Sequence, residues 1–338
     1  MVCFRFHLSN IVESRRIHLY IMASRLYQLP DLLAGCPQKS ASFNINAHKA
    51  LVHQNCGKSC LISQDRDGDG CKNHEAEAVL SVGFCFPQAD AKAFQAIADY
   101  FELGFIQEGA TDAASVEDAR KYMDMFSFTI ALMEHLGEVY REDFLNAHSG
   151  YVQGVLQEAL DRKRAQDTDA KLDVDTYLVN RRKTIAVTMC IVLTRSSGRL
   201  NISRDLLNEP SVRGMEEATV ELIMIANDIY SYKKELAEGN ARHNIITVLT
   251  QDPKTKHLSL QSAIDYAGQL FELALARFEE SRASIPSFDE ETDKMLEEYA
   301  VAMVGLFVGN IEWCCVSARY RVFDSEGNRQ KGLVELCG

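Results

Sequence analysis

The chain has 338 residues, of which 46% are apolar and 25% charged, and its formal net charge is -12. This length can bury a large core in one or two domains, and the composition is ordinary for a globular protein. The acidic balance argues against nucleic acid as a partner, because such a surface needs clustered lysine and arginine. No apolar run reaches the roughly 18–20 residues of a membrane span, so the sequence predicts none.

Residues 1–84 differ in composition from the rest of the chain. The first 21 residues contain arginines but no long apolar stretch, so a weak transit peptide and a start assigned upstream of Met22 are open alternatives. We predict that residues 1–84 form an N-terminal segment that is partly irregular, with disorder or misassignment as explanations.

A polar stretch over residues 53–77 offers two metal sites and one simpler interpretation. Asp65, Asp67 and Asp69 match the opening of a calcium loop, but its twelfth position, which needs a bidentate glutamate, is Ala76. The zinc candidates are His53, Cys56, Cys60, Cys71 and His74. Their spacing matches no zinc finger. We therefore favour a polar surface loop.

Helical periodicity dominates the chain after Pro87, and no further proline occurs before Pro210. The apolar spacing predicts helices over residues 91–105, 116–136, 138–165, 177–195, 212–236, 243–249, 259–284 and 290–318. No alternating run predicts a sheet, and no repeat recurs at a fixed period. The expected fold class is all-α.

The ten cysteines show no spacing typical of a secreted disulfide framework. Cys190, Cys314 and Cys315 stand in apolar helical stretches, which favours buried free thiols. We therefore expect a reducing compartment and a cytoplasmic location.

A row of polar side chains lies within the predicted helix 212–236. Asn227, Ser231 and Glu235 recur every fourth residue, so an amide, a hydroxyl and a carboxylate share one helix face. Three oxygen donors in a row suit Mg²⁺, which completes its shell with phosphate oxygens and water. Lys234, beside the row, would meet the remaining phosphate charge. A solvated polar face is the simpler alternative.

Further motifs accompany this row in a fixed order along the chain. Arg181 stands 46 residues before Asn227 with Thr184 shortly after it, and Arg319-Tyr320 follows Trp313 near the C-terminal end. Together with the row, which reads N-D-x-x-S-x-x-K-E, these motifs resemble the class I terpene synthases, in particular the fungal and bacterial sesquiterpene cyclases. The resemblance runs from about Pro87 to Phe323.

The resemblance implies a single-domain helical bundle around a central apolar pocket, with residues 85–325 as the catalytic domain and 326–338 as a C-terminal tail. It implies a Mg²⁺-dependent lyase that ionises and cyclises farnesyl diphosphate, with three metal ions when diphosphate is bound. Asn227, Ser231 and Glu235 would bind metal. The residues implied for diphosphate binding are Arg181, Lys234, Arg319 and Tyr320. A homodimer is compatible with the resemblance, although the sequence does not decide the oligomeric state.

The first metal motif departs from the family pattern. The aspartate-rich D-D/E/N-x-x-D motif aligns with residues 108–112, where Glu108 replaces the leading aspartate, Gly109 the second acid, and only Asp112 is kept. Glu108 and Asp112 remain the metal-binding candidates. A relative that binds prenyl diphosphate without turnover, or only keeps the fold, is therefore the alternative function.

Aromatic side chains near these motifs are candidates for the substrate pocket. Phe101 and Phe105 lie about two turns and one turn before Glu108, and Trp313 lies about two turns before Tyr320. Aromatic faces can stabilise a passing carbocation. An aromatic residue at helical spacing is more often part of the core, which is the alternative for each of the three.

Overall fold

The computed structural model describes residues 24–37, 69–112, 114–124, 136–168, 170–255 and 258–337. These ranges contain α1 (Asp69–Cys85), α2 (Ala91–Thr111), α3 (Val116–Asp124), α4 (Glu138–Thr168), α5 (Val174–Thr184), α6 (Val187–Ser197), α7 (Arg204–Leu207), α8 (Pro210–Glu238), α9 (Ile245–Gln251), α10 (Leu260–Ala283), α11 (Glu290–Val316) and α12 (Glu326–Lys331). The all-α fold class is confirmed. The second half of the predicted helix 116–136 lies outside the described residues, as do residues 38–68 and with them most of the proposed calcium and zinc ligands.

Helix α8 is the central helix of the bundle. Every residue from Ala218 to Ala226 is buried, and the helix packs against α6, α10 and α11. A helix that is apolar on all sides must be surrounded by other elements. Pro210 occupies its first turn, where proline's fixed φ is tolerated, and Gly239 ends it in the left-handed conformation, with φ of 76°. The polar row 227–235 follows directly on the buried run.

The predicted single helix over 177–195 is wrong, because the chain breaks it into α5 and α6. Ala186 adopts a left-handed conformation with φ of 63°, and Ile185 ends the first helix. A non-glycine residue in this region costs roughly 1–2 kcal/mol, so only tertiary packing holds the break. The apolar periodicity continues through Ile185 and Val187, and the sequence pattern therefore does not reveal the break at Ala186.

A two-stranded antiparallel sheet is present, contrary to the prediction of no sheet. β1 (Ser24–Gln28) pairs with β2 (Leu333–Cys337), with Ser24 opposite Cys337. The backbone N–H of Gln28 donates to Gln261 Oε1 over 2.9 Å, which ties the sheet to α10. Each strand has five residues and its partner lies about 300 residues away, so no local alternation marks it. Residues 326–337, expected as a tail, therefore form α12 and β2.

The prediction of a polar surface loop over residues 53–77 is wrong from Asp69 onward. There the chain forms α1, which packs against α2 and α11. Val82 near its C-terminal end and Phe86 directly after it are fully buried. α1 reads poorly as an amphipathic helix because its first turns are polar and its apolar residues concentrate near the end.

Helix α11 is long and apolar enough to cross a membrane by length and composition. In the bundle, 72% of its most apolar window is buried, as in the core helix of a globular protein. The three thiols predicted to be free are free in the structure: Cys314 is fully buried, and Cys190 and Cys315 are partly buried.

Close packing between α1 and α11 depends on Gly309. A Cβ at this position would lie 2.2 Å from the carbonyl oxygen of Phe84 and 2.6 Å from its carbonyl carbon. Because these are backbone atoms, they cannot rotate away, and the two helices would have to separate.

We expect Gly309→Ala to lower the free energy of unfolding by about 1–3 kcal/mol, the usual cost of overpacking a core. Urea unfolding followed by circular dichroism measures the loss. Gly150→Ala is the matched control, because a Cβ on that α4 residue meets nothing within 4 Å. Equal stability of both variants would contradict the close packing of α1 on α11.

Candidate active site

A cavity of about 1180 Å³ lies between α2, α4, α8, α11 and the break between α5 and α6. Nine residues predicted from the sequence line it: Phe101, Phe105, Glu108, Asp112, Arg181, Asn227, Glu235, Trp313 and Tyr320. Ser231 and Arg319 stand behind this wall, each bonded to a lining residue. The structure therefore gathers residues that are up to 219 positions apart in the sequence.

One part of the cavity wall is aromatic. Phe105 stacks on Trp313 with ring centroids 5.6 Å apart and planes 4° from parallel. Phe101 meets Phe105 edge to face at 6.2 Å, and Trp313 meets Tyr320 in the same way at 5.3 Å. The apolar residues Met189, Ile223 and Leu306 also line the cavity. This wall can hold a hydrocarbon away from water, and aromatic rings of this kind can stabilise a cation.

Asn227 and Glu235 of the α8 row line a polar part of the cavity, which meets the aromatic part at Tyr320. The Ser231 hydroxyl donates to Glu235 Oε1 over 2.5 Å, and the amide of Asn244 donates to Glu235 Oε2 over 2.9 Å. Asn227 accepts a hydrogen bond from Arg181 Nη2 at 2.7 Å through Oδ1, and its Nδ2 donates to the Tyr320 hydroxyl over 2.8 Å. Asn227 thus joins two of the predicted diphosphate-binding residues.

Asp228, inside the same motif, holds Arg181 in place. Its Oδ1 accepts from Arg181 Nε at 3.0 Å and lies 3.0 Å from Arg181 Nη2, and the carboxylate is 1% exposed. Its Oδ2 accepts from the Tyr177 hydroxyl and, at 3.0 Å, from the backbone N–H of Ile245. Burial raises the pKa of Asp228, although Arg181 acts to lower it. The carboxylate joins α5, α8 and the start of α9.

Arg319 and Glu108 form an ion pair on the α2 side of the cavity. Arg319 Nη2 lies 2.9 Å from Glu108 Oε1, and its guanidinium stands 4.7 Å from the centroid of the Phe105 ring. Burial opposes ionisation of Glu108, but Arg319, with Lys234 and Arg181, outweighs it and lowers the pKa. Arg319 Nε is buried and has no hydrogen-bond partner within the described residues. This N–H could serve an anionic ligand.

Two further carboxyl groups line the cavity near Glu108. Burial and the negative charge of Glu108 raise the pKa of Asp112 to about 7. Burial also raises the pKa of Glu158, on α4, although Arg181 acts to lower it. Because burial disfavours the ionised form of both groups, a cation bound near them would favour that form.

Lys234 does not line the cavity. Its Nζ lies 3.2 Å from Glu238 Oε2, one turn further along α8, and the side chain is mostly buried. A direct contact between Lys234 and diphosphate stays a prediction. In the described structure its charge acts on Glu108 and Asp112 through space.

The donor set of α8 fits a hard cation. Asn227 Oδ1, Ser231 Oγ and the Glu235 carboxylate are all oxygen donors, the kind that Mg²⁺ prefers over nitrogen and sulfur. No three His, Cys, Asp or Glu side chains gather closely enough to hold a metal in the part of the chain that the structure describes. A cation here would therefore depend on amide and hydroxyl oxygens and on oxygens of the ligand itself.

Four residues of this site escaped the sequence reasoning: Tyr177, Asp228, Asn244 and Glu158. The sequence does carry a signal for Asp228. It is a charged residue in the middle of an apolar helical stretch, and such a residue needs a partner when the helix is buried. Tyr177 stands one turn before Arg181, so helical spacing places both on one face. Asn244 and Glu158 carry no local signal, since only the folded bundle brings them to the cavity.

Comparison with known proteins gives a consistent result. Residues 90–277 match the family described as terpene synthase family 2, C-terminal metal binding. Sesquiterpene synthase Agr8 from Cyclocybe aegerita is 32% identical, covering 93% of this chain and 92% of that protein. Sesquiterpene synthase 3 from Postia placenta is 29% identical, over 61% of this chain and 54% of that protein. The crystal structure of α-eudesmol synthase superposes with a TM-score of 0.64 at 19% identity, covering 84% of this chain and 97% of that one.

Glu235 should make stability depend on pH. Burial and the charge of Asp228 raise its pKa to about 7, whereas an unfolded glutamate titrates near 4.3. The folded protein therefore holds a proton that the unfolded chain releases, and ionised Glu235 costs stability as the pH rises through this window.

We expect Glu235→Gln, which cannot ionise, to gain stability relative to the unchanged protein by about 2 kcal/mol between pH 5 and pH 8. Urea unfolding of both proteins in EDTA at the two pH values measures this change in the difference. A difference that is the same at both pH values would show that Glu235 titrates normally in the folded protein.

Proposed function

The chain belongs to the terpene synthase family, and we propose that it is a Mg²⁺-dependent sesquiterpene synthase that ionises and cyclises farnesyl diphosphate and releases diphosphate. The observation that carries this proposal is one arrangement. Asn227 and Glu235 line the cavity beside Arg181 and Tyr320, with Ser231 hydrogen-bonded to Glu235, and the aromatic part of the cavity wall adjoins them at Tyr320. A charged head group and a hydrocarbon tail fit these two environments.

The metal-binding residues would be Asn227, Ser231 and Glu235 on α8, with Glu108 and Asp112 on α2, and we propose three ions when diphosphate is bound. Bound Mg²⁺ would supply charge neutralisation for the departing diphosphate. Release of Asn227 Oδ1 from Arg181 would free both groups at once, the amide for a cation and the guanidinium for phosphate oxygens. Ser231 and Asn244 already hold the Glu235 carboxylate in place.

Arg181, Arg319 and Tyr320 would bind the leaving group. A guanidinium pairs with phosphate through two parallel hydrogen bonds, and the buried setting strengthens each of them. Lys234 would add positive charge from behind the wall. These groups stabilise the negative charge that develops as the carbon–oxygen bond breaks, which leaves an allylic cation in the cavity.

The aromatic wall would then protect and guide that cation. Phe101, Phe105 and Trp313 pack on one another and line the cavity, where they would shield the cation from water. Because Phe105 also contacts the Arg319 guanidinium, the hydrocarbon wall and the diphosphate end of the site share one side chain. A short distance between the two ends suits a substrate whose reacting carbon is adjacent to its phosphate.

A second candidate function is a homologue that binds prenyl diphosphate without turnover. Gly109 at the second acidic position favours it, and so does the Arg319 pairing that occupies part of Glu108. Such a protein would still bind the substrate, so binding alone cannot separate the two functions. The chemical step does.

Incubation of the purified chain with farnesyl diphosphate and Mg²⁺ should yield a sesquiterpene hydrocarbon or alcohol detectable by gas chromatography. Glu235→Ala, which removes a carboxylate from the α8 row, should lower the yield by at least about 100-fold, comparable with the loss of one transition-state contact. If the unchanged protein makes no more product than Glu235→Ala, it is not a synthase of this substrate.

Glu108→Gln tests the altered first motif. The substitution keeps the shape of the side chain but removes both its charge and the ion pair with Arg319. We expect turnover to fall at least about 100-fold, with a higher Mg²⁺ requirement in the remaining activity. Glu117→Gln is the control, because Glu117 is 80% exposed at the cavity rim. Full activity of Glu108→Gln would remove Glu108 from the metal-binding set.

A further inference from the structure

Helix α1 makes a polar contact with the end of α11, across 240 residues of sequence. Glu77 Oε2 accepts a hydrogen bond from the Ser317 hydroxyl at 2.6 Å, and its Oε1 accepts from the backbone N–H of Ala318 at 2.9 Å. Both donors belong to the turn that follows α11. The carboxylate of Glu77 therefore holds two successive residues of this turn at once.

The turn held by Glu77 leads directly into two site residues. Ser317 is the C-terminal cap of α11 and is 4% exposed, and its Oγ also accepts from the backbone N–H of Arg319 at 3.0 Å. The Ser317 hydroxyl thus links Glu77 to Arg319 through one oxygen. Because the hydroxyl hydrogen points to Glu77, the lone pairs of Oγ remain for Arg319 N–H.

The contacts of the next two side chains show why the turn must be fixed. Arg319 reaches Glu108 on α2 at 2.9 Å, while Tyr320 accepts from Asn227 on α8 at 2.8 Å. These partners lie on different helices, so a small rotation of the turn would lose one contact or both. A carboxylate with two charge-assisted hydrogen bonds restrains such a rotation better than neutral groups can.

We infer that Glu77 is a positioning residue for the pair Arg319 and Tyr320. This inference rests on the proposed function, in which the pair binds the diphosphate group. Glu77 itself touches neither the cavity nor the head group, and it acts through Ser317 and the backbone of the turn. Helix α1 thereby acts on the diphosphate end of the site through Glu77, in addition to Ser81 and Cys85, which line the cavity.

The only tryptophan of the chain provides a readout that needs no ligand. Trp313 is 2% exposed, lies 5.3 Å from the Tyr320 ring and stacks on Phe105. Displacement of the turn would change the packing around this indole. We expect Glu77→Ala to increase acrylamide quenching of Trp313 fluorescence at least twofold at a temperature where circular dichroism shows the protein folded.

The second readout is the affinity for inorganic pyrophosphate in the presence of Mg²⁺, measured by titration calorimetry. We expect Glu77→Ala to weaken binding about tenfold and Ser317→Ala to do the same, while the double variant is no weaker than either single one. In an Arg319→Ala background, Glu77→Ala should have a smaller effect, because only the contact of Tyr320 is then left to lose. Glu77→Gln should recover most of the affinity, because it keeps one acceptor for Ala318 N–H.

Glu272→Ala, at an exposed position of α10, is the control and should leave both readouts unchanged. If Glu77→Ala lowers the melting temperature without changing quenching or pyrophosphate affinity, Glu77 is only a cap for α11 and the inference is wrong. The inference is also wrong if Glu77→Ala weakens pyrophosphate binding equally in the unchanged protein and in the Arg319→Ala background. If the unchanged protein does not bind pyrophosphate, the proposed function fails instead, and the fluorescence result still decides whether Glu77 positions the turn.

Discussion

The buried ion pair between Asp228 and Arg181 is the interaction on which the site depends. A carboxylate that is 1% exposed is costly unless its lone pairs are satisfied, and here α5 and the start of α9 contribute the donors to this α8 side chain. The same pair brings the Arg181 guanidinium against Asn227. The interaction that joins three helices therefore also places a cation next to the oxygen donors of the α8 row.

The two sides of the cavity differ in how their charge is arranged. On α8, hydrogen bonds with neighbouring residues hold Asn227, Ser231 and Glu235 in place before any ligand binds, and only Asn227 Oδ1 has to leave its partner, Arg181, to reach a cation. On α2, Glu108 is held by Arg319 alone among the contacts of its carboxylate within the described residues, and Asp112 keeps a raised pKa. The metal-binding candidates are therefore better held in place on α8, where the family motif is complete, than on α2, where the motif is altered.

A feature of the fold or site could be predicted from the sequence when the residues that determine it lie close together along the chain. The Asn227 row and the positions of most helices follow from spacing within a few turns. The sheet between residues 24–28 and 333–337, the helix α1 and the break at Ala186 did not follow. A short strand with a remote partner, a helix with a polar first half and a left-handed alanine each depend on packing that no local window contains.

The sequence by itself determined the all-α class, the α8 row and its resemblance to the terpene synthases, because these lie in the order and spacing of residues along one helix or a few motifs. Only the tertiary structure decided which charges face each other. It paired Arg319 with Glu108, turned Lys234 toward Glu238 and joined Glu77 to the turn before Arg319. Electrostatic partners separated by hundreds of residues are chosen by how helices pack, and that information is absent from any single stretch of chain.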